Sequence, residues 1–582
     1  SILNRTFRLL NVRERKRSLM LLLSIFLNSI VEILGLAVVV PVIGLVVRPE
    51  TIQSNLALRT TYDAVVPLGI NTPSRFLIAL CGLMIGAFLF KALFGLAVNL
   101  FQTRFSFSVA HRLSGQMWSY HFSQSLERMR GTDSGRILAE INSWPLQFAN
   151  VFMVGGLMIL TELSVITLIA TGLLFYNPVV FLSIATLLTI GALIIRTATR
   201  RRLSTYSDIR SQIEPRSNTL ITNSLRGFLE LLTFRASDAV REAYLKDRWA
   251  IFRIQSNTTI LSLTPAKLYE VLAVIAVASS IIIALLQGAP ESGFLELLSF
   301  MAISSYRVMP SMSRLNGAVI RMREHQYVLE TMKHGDGNQL QGTKQSSAHS
   351  KHVKTVEIQL ADVTLSYEAL DAPVVEHLLY TFEPGKIHGI VGPSGSGKST
   401  LISALLGLHK PTIGSVHVQL DQQKLTALGE DLDLQNWMLN VGYLSQHPFL
   451  FQGTVRDNLT LRVPGAVVNE ERVAALIEKL KLSECLASNP LAFELHEGGN
   501  NLSGGQQQRL ALLRALQIHR PVLILDEATS AMDCELRDVV FGLLREKALK
   551  GCNIILVTHD KELAEQCDDL LDLGALTNPK TP

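Results

Sequence analysis

Long apolar stretches separated by polar segments of very different lengths fill the first 320 residues of the chain, whereas the rest alternates shorter apolar runs with polar segments. A helix needs about 20 mostly apolar residues to cross a bilayer. The stretches that meet this requirement cover roughly residues 19–47, 76–102, 147–175, 178–196, 259–287 and 294–320. The pattern predicts a membrane α-helical domain with six transmembrane helices, in which Tyr176, Asn177 and Pro178 form a tight turn between the third and fourth.

Basic residues predict the orientation of these spans. Arginines and lysines precede the first span and follow the second and fourth, whereas the turn at residues 176–178 carries no charge. The positive-inside rule therefore places both termini in the cytoplasm. The two cytoplasmic connections have a helical spacing of apolar residues, which predicts that the membrane helices continue past the bilayer. Their tips lie near residues 125–136 and 224–237, and the second tip is expected to expose Phe228, Leu229, Leu232 and Phe234.

Composition supports a membrane domain joined to a soluble one. Of the 582 residues only 18% are charged, against about 25% in soluble proteins. The net charge of +5 is assigned to the cytoplasmic flanks of the spans, not to nucleic-acid binding. The five cysteines show no C-x-x-C spacing, which favours reduced thiols over a zinc site or disulfides. Small polar residues predict a linker, which gives a transmembrane domain at 1–334, a linker at 335–352 and a nucleotide-binding domain at 353–582.

A glycine-rich segment in the second half follows the apolar run Ile387–Val391, which predicts a strand. It fits the pattern G-x-x-x-x-G-K-[ST] and consists of Gly392, Pro393, Ser394, Gly395, Ser396, Gly397, Lys398, Ser399 and Thr400. A strand that ends in such a turn and opens a helix directs several backbone N–H groups at one point, where the helix dipole also favours a polyphosphate. Lys398 is expected to reach the terminal phosphates, and the Ser399 hydroxyl is expected to ligate Mg²⁺.

A second apolar run, Pro521–Leu525, ends in two carboxylates. Asp526 at the end of a buried strand suits a Mg²⁺ ligand, either directly or through water. Glu527 suits a base that polarises the attacking water. Apolar runs ending in Asp-Glu are common, and the phosphate-binding loop upstream is what makes this one informative.

A third motif, Asn501–Arg509, lies between these two. Ser503, Gly504 and Gly505 are expected to open a helix that starts near Gln506, which creates a second helix N-terminus suited to phosphate. One domain cannot use both N-termini on one nucleotide. The sequence therefore favours a head-to-tail pair of copies, in which Ser503 and Gly505 of one copy cap the γ-phosphate held by the other.

Residues 353–582 resemble the nucleotide-binding domain of ABC transporters, and the whole chain resembles a half-transporter of the ABC exporter class. Leu502–Gln506 matches the signature motif of that family in full. The resemblance implies a membrane α-helical domain followed by an α/β P-loop ATPase domain with a helical subdomain. It also implies ATP and Mg²⁺ as cofactors.

The resemblance further implies roles for single residues. Tyr367 matches the aromatic that stacks on adenine, Gln446 the glutamine that touches Mg²⁺, and His559 the histidine that contacts the γ-phosphate. Asp533 ends the segment that crosses the dimer interface in the family. The expected catalytic residues are Glu527, His559, Lys398 and Gln446, and the expected Mg²⁺ ligands are Ser399, Gln446 and Asp526. Because one chain carries every motif, the resemblance favours a homodimer with two competent sites.

The predicted spans also contain ionisable side chains, namely Glu32, Lys91, Glu162, Lys267, Glu270 and Arg307. Charges are costly in a bilayer and are expected to face the protein interior, a partner or an interface. Lys267 and Glu270, three residues apart, are expected to neutralise each other. Lys91 and Arg307 are the candidate contacts for an anionic headgroup, and the alternatives are snorkelling or an internal ion pair.

These features predict ATP-driven export or flipping of an amphipathic substrate across a bacterial inner membrane. The expected substrate is a lipid-linked glycan or another lipid, because residues 32–44 resemble the first span of bacterial exporters that flip lipid-linked oligosaccharides. The expected partners are a second copy of the chain and membrane lipids, and no nucleic acid. The alternatives are an exporter of peptides or hydrophobic drugs, a channel or regulator gated by ATP, and a soluble ABC ATPase, which the six predicted spans argue against.

Overall fold

The computed structural model of the chain describes residues 2–39, 42, 45, 56–65, 67, 72–124, 126–176, 178–286, 291–332, 353–367, 372–421, 423–429, 432, 434–463, 465–486 and 489–577. The chain forms two compact units. The first comprises Ser1–Gln124 and Arg128–Lys344, and the second comprises Gln345–Pro582 together with Ser125–Glu127. The predicted linker at 335–352 and the turn residue Asn177 lie outside the described residues, so the domain boundaries stay predictions.

The described part of the chain before residue 335 is helical. Its helices are α1 (Ile2–Arg8), α2 (Val12–Ala37), α3 (Leu56–Val65), α4 (Pro73–Phe122), α5 (Leu126–Gly131), α6 (Ser134–Leu138), α7 (Trp144–Gln147), α8 (Gly155–Tyr176), α9 (Pro178–Arg226), α10 (Phe228–Thr233), α11 (Ser237–Leu286), α12 (Glu291–Glu324) and α13 (Gln326–Thr331). Two π-helical segments, Ala139–Ser143 and Phe148–Val154, connect α6, α7 and α8 into a continuous helical path.

Within the described residues, three helical stretches are long and apolar enough to cross a membrane. They are Val12–Gly35, Ser74–Phe122 and Ser134–Gly172, and they contain most of the first three predicted spans. The other predicted spans fall on α9, α11 and α12, in which some side chains lie outside the described part. For these three, membrane crossing stays a prediction.

The helical unit packs around an apolar core to which all three of these long apolar stretches contribute. Leu113, Met117, Phe148 and Phe152 are all at most 2% exposed and belong to this core. The two long connections that are predicted to be cytoplasmic are helical, as expected, because α4, α9 and α11 each continue for 49 or 50 residues. The predicted apolar tip is confirmed as exposed, since all four of its large side chains are at least 52% exposed.

The described part of the chain after residue 352 combines sheets and helices. Its strands are β1 (Val356–Leu365), β2 (Val375–Phe382), β3 (Ile387–Val391), β4 (Ile413–Leu420), β5 (Thr426–Ala427), β6 (Val441–Leu444), β7 (Gly453–Thr454), β8 (Glu494–Leu495), β9 (Val522–Asp526), β10 (Asn553–Val557) and β11 (Asp569–Asp572). A parallel sheet has the order β11-β3-β10-β9-β6, and an antiparallel sheet has the order β2-β1-β4-β5.

Helices cover the parallel sheet and build a helical subdomain. They are α14 (Lys398–Leu405), α15 (Leu434–Met438), α16 (Val455–Thr460), α17 (Glu470–Lys479), α18 (Gly504–Gln517), α19 (Cys534–Leu549), α20 (Lys561–Glu565) and α21 (Leu573–Thr577). Side chains along a strand point alternately to opposite faces. Leu523 and Leu525 of β9 accordingly join the core shared with α16–α19, whereas Val522 and Ile524 join the core shared with α14 and β1.

Candidate nucleotide-binding and hydrolysis site

The predicted site residues come together because four parallel strands end at the same edge of one sheet. The phosphate-binding loop follows β3, Gln446 follows β6, Asp526 ends β9 with Glu527 directly after it, and His559 follows β10. These strands are neighbours in the order β3-β10-β9-β6. Ligands of open parallel sheets bind outside the carboxyl ends of the strands. The topology therefore concentrates the predicted chemistry at one edge.

The loop between β3 and α14 needs glycine for its backbone path. Gly392, Gly395 and Gly397 have φ angles of +152°, +84° and +90°. A β-carbon at Gly397 would also lie 2.8 Å from the Val375 side chain. This path carries the chain from the strand into the N-terminus of α14, which begins at Lys398, so that the turn opens a helix as predicted.

Polar groups in this loop fit a phosphate. The Lys398 ammonium donates to the carbonyls of Gly392 and Pro393 at 2.8 and 2.9 Å. Burial lowers the pKa of Lys398, and the carboxylates of Glu527 and Asp526 oppose that shift. The buried Ser396 hydroxyl has no hydrogen-bond partner among the described residues. A buried unpartnered hydroxyl is costly, so a phosphate oxygen that accepts from it would remove that cost.

Glu527 lies at the centre of a three-residue contact. Its Oε2 accepts a hydrogen bond from Gln446 Nε2 at 2.8 Å, and its Oε1 lies 3.1 Å from His559 Nε2. The neighbouring Asp526 is 9% exposed, and burial raises its pKa, as does the nearby Glu527 carboxylate. The structure thus brings together three of the four predicted catalytic residues, and Lys398 is close enough for its charge to affect the Asp526 carboxylate.

The donor set fits a magnesium ion. Ser399 is exposed at the start of α14, and Gln446 and Asp526 lie at the ends of β6 and β9. A hydroxyl, an amide and a carboxylate supply the oxygen ligands that Mg²⁺ prefers, with water and phosphate oxygens completing its shell. The described residues contain no group of three or more His, Cys, Asp and Glu side chains suited to a metal.

The other predicted nucleotide contacts lie in separate places. The Tyr367 hydroxyl is 3.2 Å from Thr400 Oγ1, and its ring centroid lies 4.9 Å from that of His409. Ser503 caps α18 and forms a capping box with Gln506. The backbone N–H of Ser503 donates to Gln506 Oε1 at 2.8 Å, and the backbone N–H of Gln506 donates to Ser503 Oγ at 3.3 Å. This helix begins at Gly504, two residues before the predicted start. Asp533 caps α19 by accepting from Leu536 N at 2.8 Å.

The two candidate substrate residues belong to one partly buried ion cluster in the helical unit. Arg307 is 8% exposed and lies 2.6 Å from Glu32 and 3.5 Å from Glu162. Lys91 lies 3.9 Å from the other oxygen of Glu32. An internal ion pair, one of the alternatives for these residues, is thus present, and their contact with a substrate stays a prediction. The predicted pair between Lys267 and Glu270 is confirmed at 3.0 Å.

Sequence reasoning missed two residues next to the site. His409 packs against the Tyr367 ring, and Gln508 donates to the backbone of Glu527 at 2.8 Å. Gln508 is 4% exposed on a helix face otherwise formed by leucine and alanine. A glutamine on the apolar face of an amphipathic helix is the signal that could have identified it.

Comparisons with known proteins show what this chain is similar to. Residues 375–530 match the family model described as ABC transporter. A mycobactin import ATP-binding/permease protein, IrtB of Mycolicibacterium smegmatis, is 37% identical over 221 residues, which are 37% of this chain and 36% of that protein. An ATP-dependent lipid A-core flippase of Burkholderia orbicola is 34% identical over 221 residues, or 38% of this chain and 36% of that protein. These alignments therefore span only about a third of the curated relatives.

A structural comparison covers nearly the whole chain. A bacterial Atm1-family ABC exporter with ATP bound has a TM-score of 0.76 at 18% sequence identity, covering 97% of this chain and 95% of that one. The predicted order, a helical region with apolar helices followed by an α/β ATPase domain, is confirmed by this fold. Residues 375–530 therefore match the ABC transporter family, and the chain as a whole has the fold of an ABC exporter.

Proposed function

We propose that this protein hydrolyses ATP to export or flip an amphipathic substrate across a bacterial inner membrane. The observation that carries the proposal is the carboxylate of Glu527, held between Gln446 and His559 at the same sheet edge as the phosphate-binding loop. A base placed at a phosphate site, in a chain with an ABC exporter fold, supports coupled hydrolysis and transport.

The hydrolysis step assigns a role to each side chain. Backbone N–H groups of the loop and Lys398 hold the β- and γ-phosphates, while Tyr367 stacks on adenine. Glu527 accepts a proton from the water whose oxygen attacks the γ-phosphorus, and ADP leaves with its electron pair. His559 orients Glu527 and contacts the γ-phosphate. Ser399, Gln446 and Asp526 would hold Mg²⁺, which neutralises phosphate charge when bound.

The same proposal requires a second copy of the chain. Ser503, Gly504 and Gly505 lie at the exposed or half-exposed N-terminus of α18, which supports their use by a nucleotide on another copy. One chain holds a full phosphate-binding loop and a full signature motif, which favours a homodimer. The exposed apolar residues of α10 support its use as a contact surface in such an assembly.

The substrate assignment rests on the membrane region and on relatives. Apolar helices that carry a partly buried ion cluster suit a molecule with an apolar body and a charged head. One relative is named a lipid A-core flippase and another a mycobactin import protein. Lipid-linked oligosaccharide should therefore raise the ATPase rate of the reconstituted protein. Stimulation by peptides or hydrophobic drugs instead would favour the alternative exporter.

The test of hydrolysis is the variant Glu527→Gln in the full-length protein. Removing the base should lower the ATP hydrolysis rate by roughly 10²- to 10⁴-fold while leaving ATP binding intact, because the loop and Lys398 are unchanged. Nucleotide binding and phosphate release are measured on the same preparation. If E527Q retains both turnover and transport, Glu527 is not the base. If transport survives without turnover, ATP acts only as a gate.

A further inference from the structure

The backbone of Glu527 adopts a conformation that its own side chain does not favour. Its φ angle is +51°, in the left-handed region. This region is unfavourable for a residue with a β-carbon, and such strain persists only where the surroundings hold it. The Glu527 N–H donates to the Val557 carbonyl at 3.1 Å. Its carbonyl accepts from the side chain of Gln508 at 2.8 Å. A side chain from outside β9 therefore helps to fix this backbone.

The same amide also holds the segment that follows Glu527. Gln508 Nε2 lies 3.2 Å from Ser530 Oγ, and Gln508 Oε1 accepts from the Ala531 N–H at 3.2 Å. Gln508 is 4% exposed, so water does not compete freely for these bonds. Donor and acceptor of one amide thus bridge both ends of the turn at residues 527–531.

The helix that carries Gln508 is as important as the contacts of its side-chain amide. Gln508 lies on α18, whose N-terminus carries Ser503 and the signature glycines. Because α18 is a continuous hydrogen-bonded helix, a displacement of its N-terminus also moves Gln508. The neighbouring Gln507 has a different task, because its side chain donates to the carbonyls of Gly499 and Leu502.

We propose that Gln508 is the positioning residue for Glu527. It fixes the direction of the Glu527 carboxylate through the backbone, and it makes that direction depend on the position of α18. The inference rests on the proposed function, because it requires Glu527 to act as the base. It adds a physical connection between the helix that serves one nucleotide and the base that serves the other.

The test replaces Gln508 by leucine, which keeps the bulk but removes the donor and the acceptor. Gln517 provides the matched control, since it lies on the same helix and its amide donates to the Leu459 carbonyl at 2.7 Å, away from the site. We expect Q508L to lower kcat for ATP roughly 10- to 100-fold, because small misplacement of a base is costly, while KM and ATP affinity stay within about twofold. Q517A should keep kcat within about twofold of wild type.

Three results would overturn the inference. They are a kcat of Q508L within twofold of wild type, an equal loss of kcat in Q517A, and a loss of ATP affinity that parallels the loss of kcat. If Q508L does not fold, Gln508→Glu takes its place, because it keeps the acceptor for Ala531 but lacks the amide donor. The same outcomes apply to it. The ATPase rates of wild type and E527Q are measured in the same experiment. An inactive wild type or an active E527Q would contradict the proposed function itself, whereas the outcomes above concern only the positioning role of Gln508.

Discussion

At the scale of single residues, the candidate site depends on backbone conformations that few residue types tolerate. Gly397 combines a φ of +90° with a gap too small for a β-carbon, and Glu527 holds a φ of +51° despite its side chain. The first is what glycine permits without cost, whereas the second needs outside support. The sequence motif therefore explains why residue 397 is a glycine, but it does not show which contacts hold the backbone of Glu527.

His325, in the helical unit, gives a prediction about pH. It is 7% exposed, and burial followed by the charge of Arg210 lowers its pKa from 6.5 to about 4. Arg321 and Glu324 also face it, and its Nδ1 lies 3.0 Å from the Arg321 carbonyl. Between pH 6.5 and pH 4 the unfolded chain binds a proton at this residue that the folded chain does not. The contribution of neutral His325 to the free energy of unfolding should therefore be fully present above pH 6.5 and should be lost as the pH falls toward 4.

The expected loss attributable to His325 is about 2 kcal/mol between pH 7 and pH 5. Thermal unfolding of the detergent-solubilised protein at several pH values measures it, with His325→Gln as the control that cannot titrate. The H325Q protein should lose less stability over this range. Equal pH dependence of the two proteins would show that the imidazole is not buried in its neutral form.

At the scale of elements, parallel strands decide which residues can meet. The segments after β3, β6, β9 and β10 are far apart in sequence but share one sheet edge.

Burial of the strands also affects the cysteines beside them. Burial raises the pKa of Cys552, before β10, and of Cys567, before β11, to about 11 in each case. Cys534 is exposed at the start of α19.

This contrast predicts selective labelling of thiols. Only about one thiol in a thousand is ionised three pH units below its pKa, and the thiolate is the reactive form. At pH 8 a maleimide should therefore modify Cys534 at least tenfold faster than Cys552 or Cys567. Peptide mass spectrometry after timed labelling measures the rates, and C534S removes the fast phase. A Cys552 that reacts as fast as Cys534 would contradict the burial of β10.

Local pattern predicted most of these elements. The runs before Gly392 and Asp526 form the buried strands β3 and β9, and Ser503 opens a helix, because each signal lies within a few adjacent residues. Contacts between distant residues could not be predicted in this way. Arg307 meets Glu32 across 275 positions, and the apolar face of α18 marks Gln508 as unusual without showing that its partner is the Glu527 backbone, 19 positions away.

At the scale of the whole molecule, the central prediction concerns two copies that share each nucleotide. Lys398→Ala should disable the loop of its own copy, and Ser503→Ala should disable only the motif that serves the other copy. Each homodimer should be inactive. A dimer with one copy of each variant retains one intact pair, formed by the loop of the S503A copy and the signature of the K398A copy.

Mixing the two variants should therefore restore activity. When the two variants are co-expressed in equal amounts, about half of the dimers are mixed, and each mixed dimer has one working site out of two. The expected ATPase rate is therefore roughly a quarter of the wild-type rate if the two sites act independently. Differently tagged copies allow the mixed dimer to be purified and measured. Sites built within a single copy would give no recovery, because neither variant then holds both parts.

The capping serine of α18 has a consequence for which ligand this helix can accept. A hydroxyl offers two lone pairs and a single proton, and the Gln506 N–H occupies only a lone pair of Ser503. The proton stays available to an incoming anion while the helix start remains intact. Aspartate begins helices equally well but presents only acceptors and a negative charge, so it would repel a phosphate. Among good helix starters, serine is thus one of the few that can satisfy its own helix and bind a foreign anion at the same time.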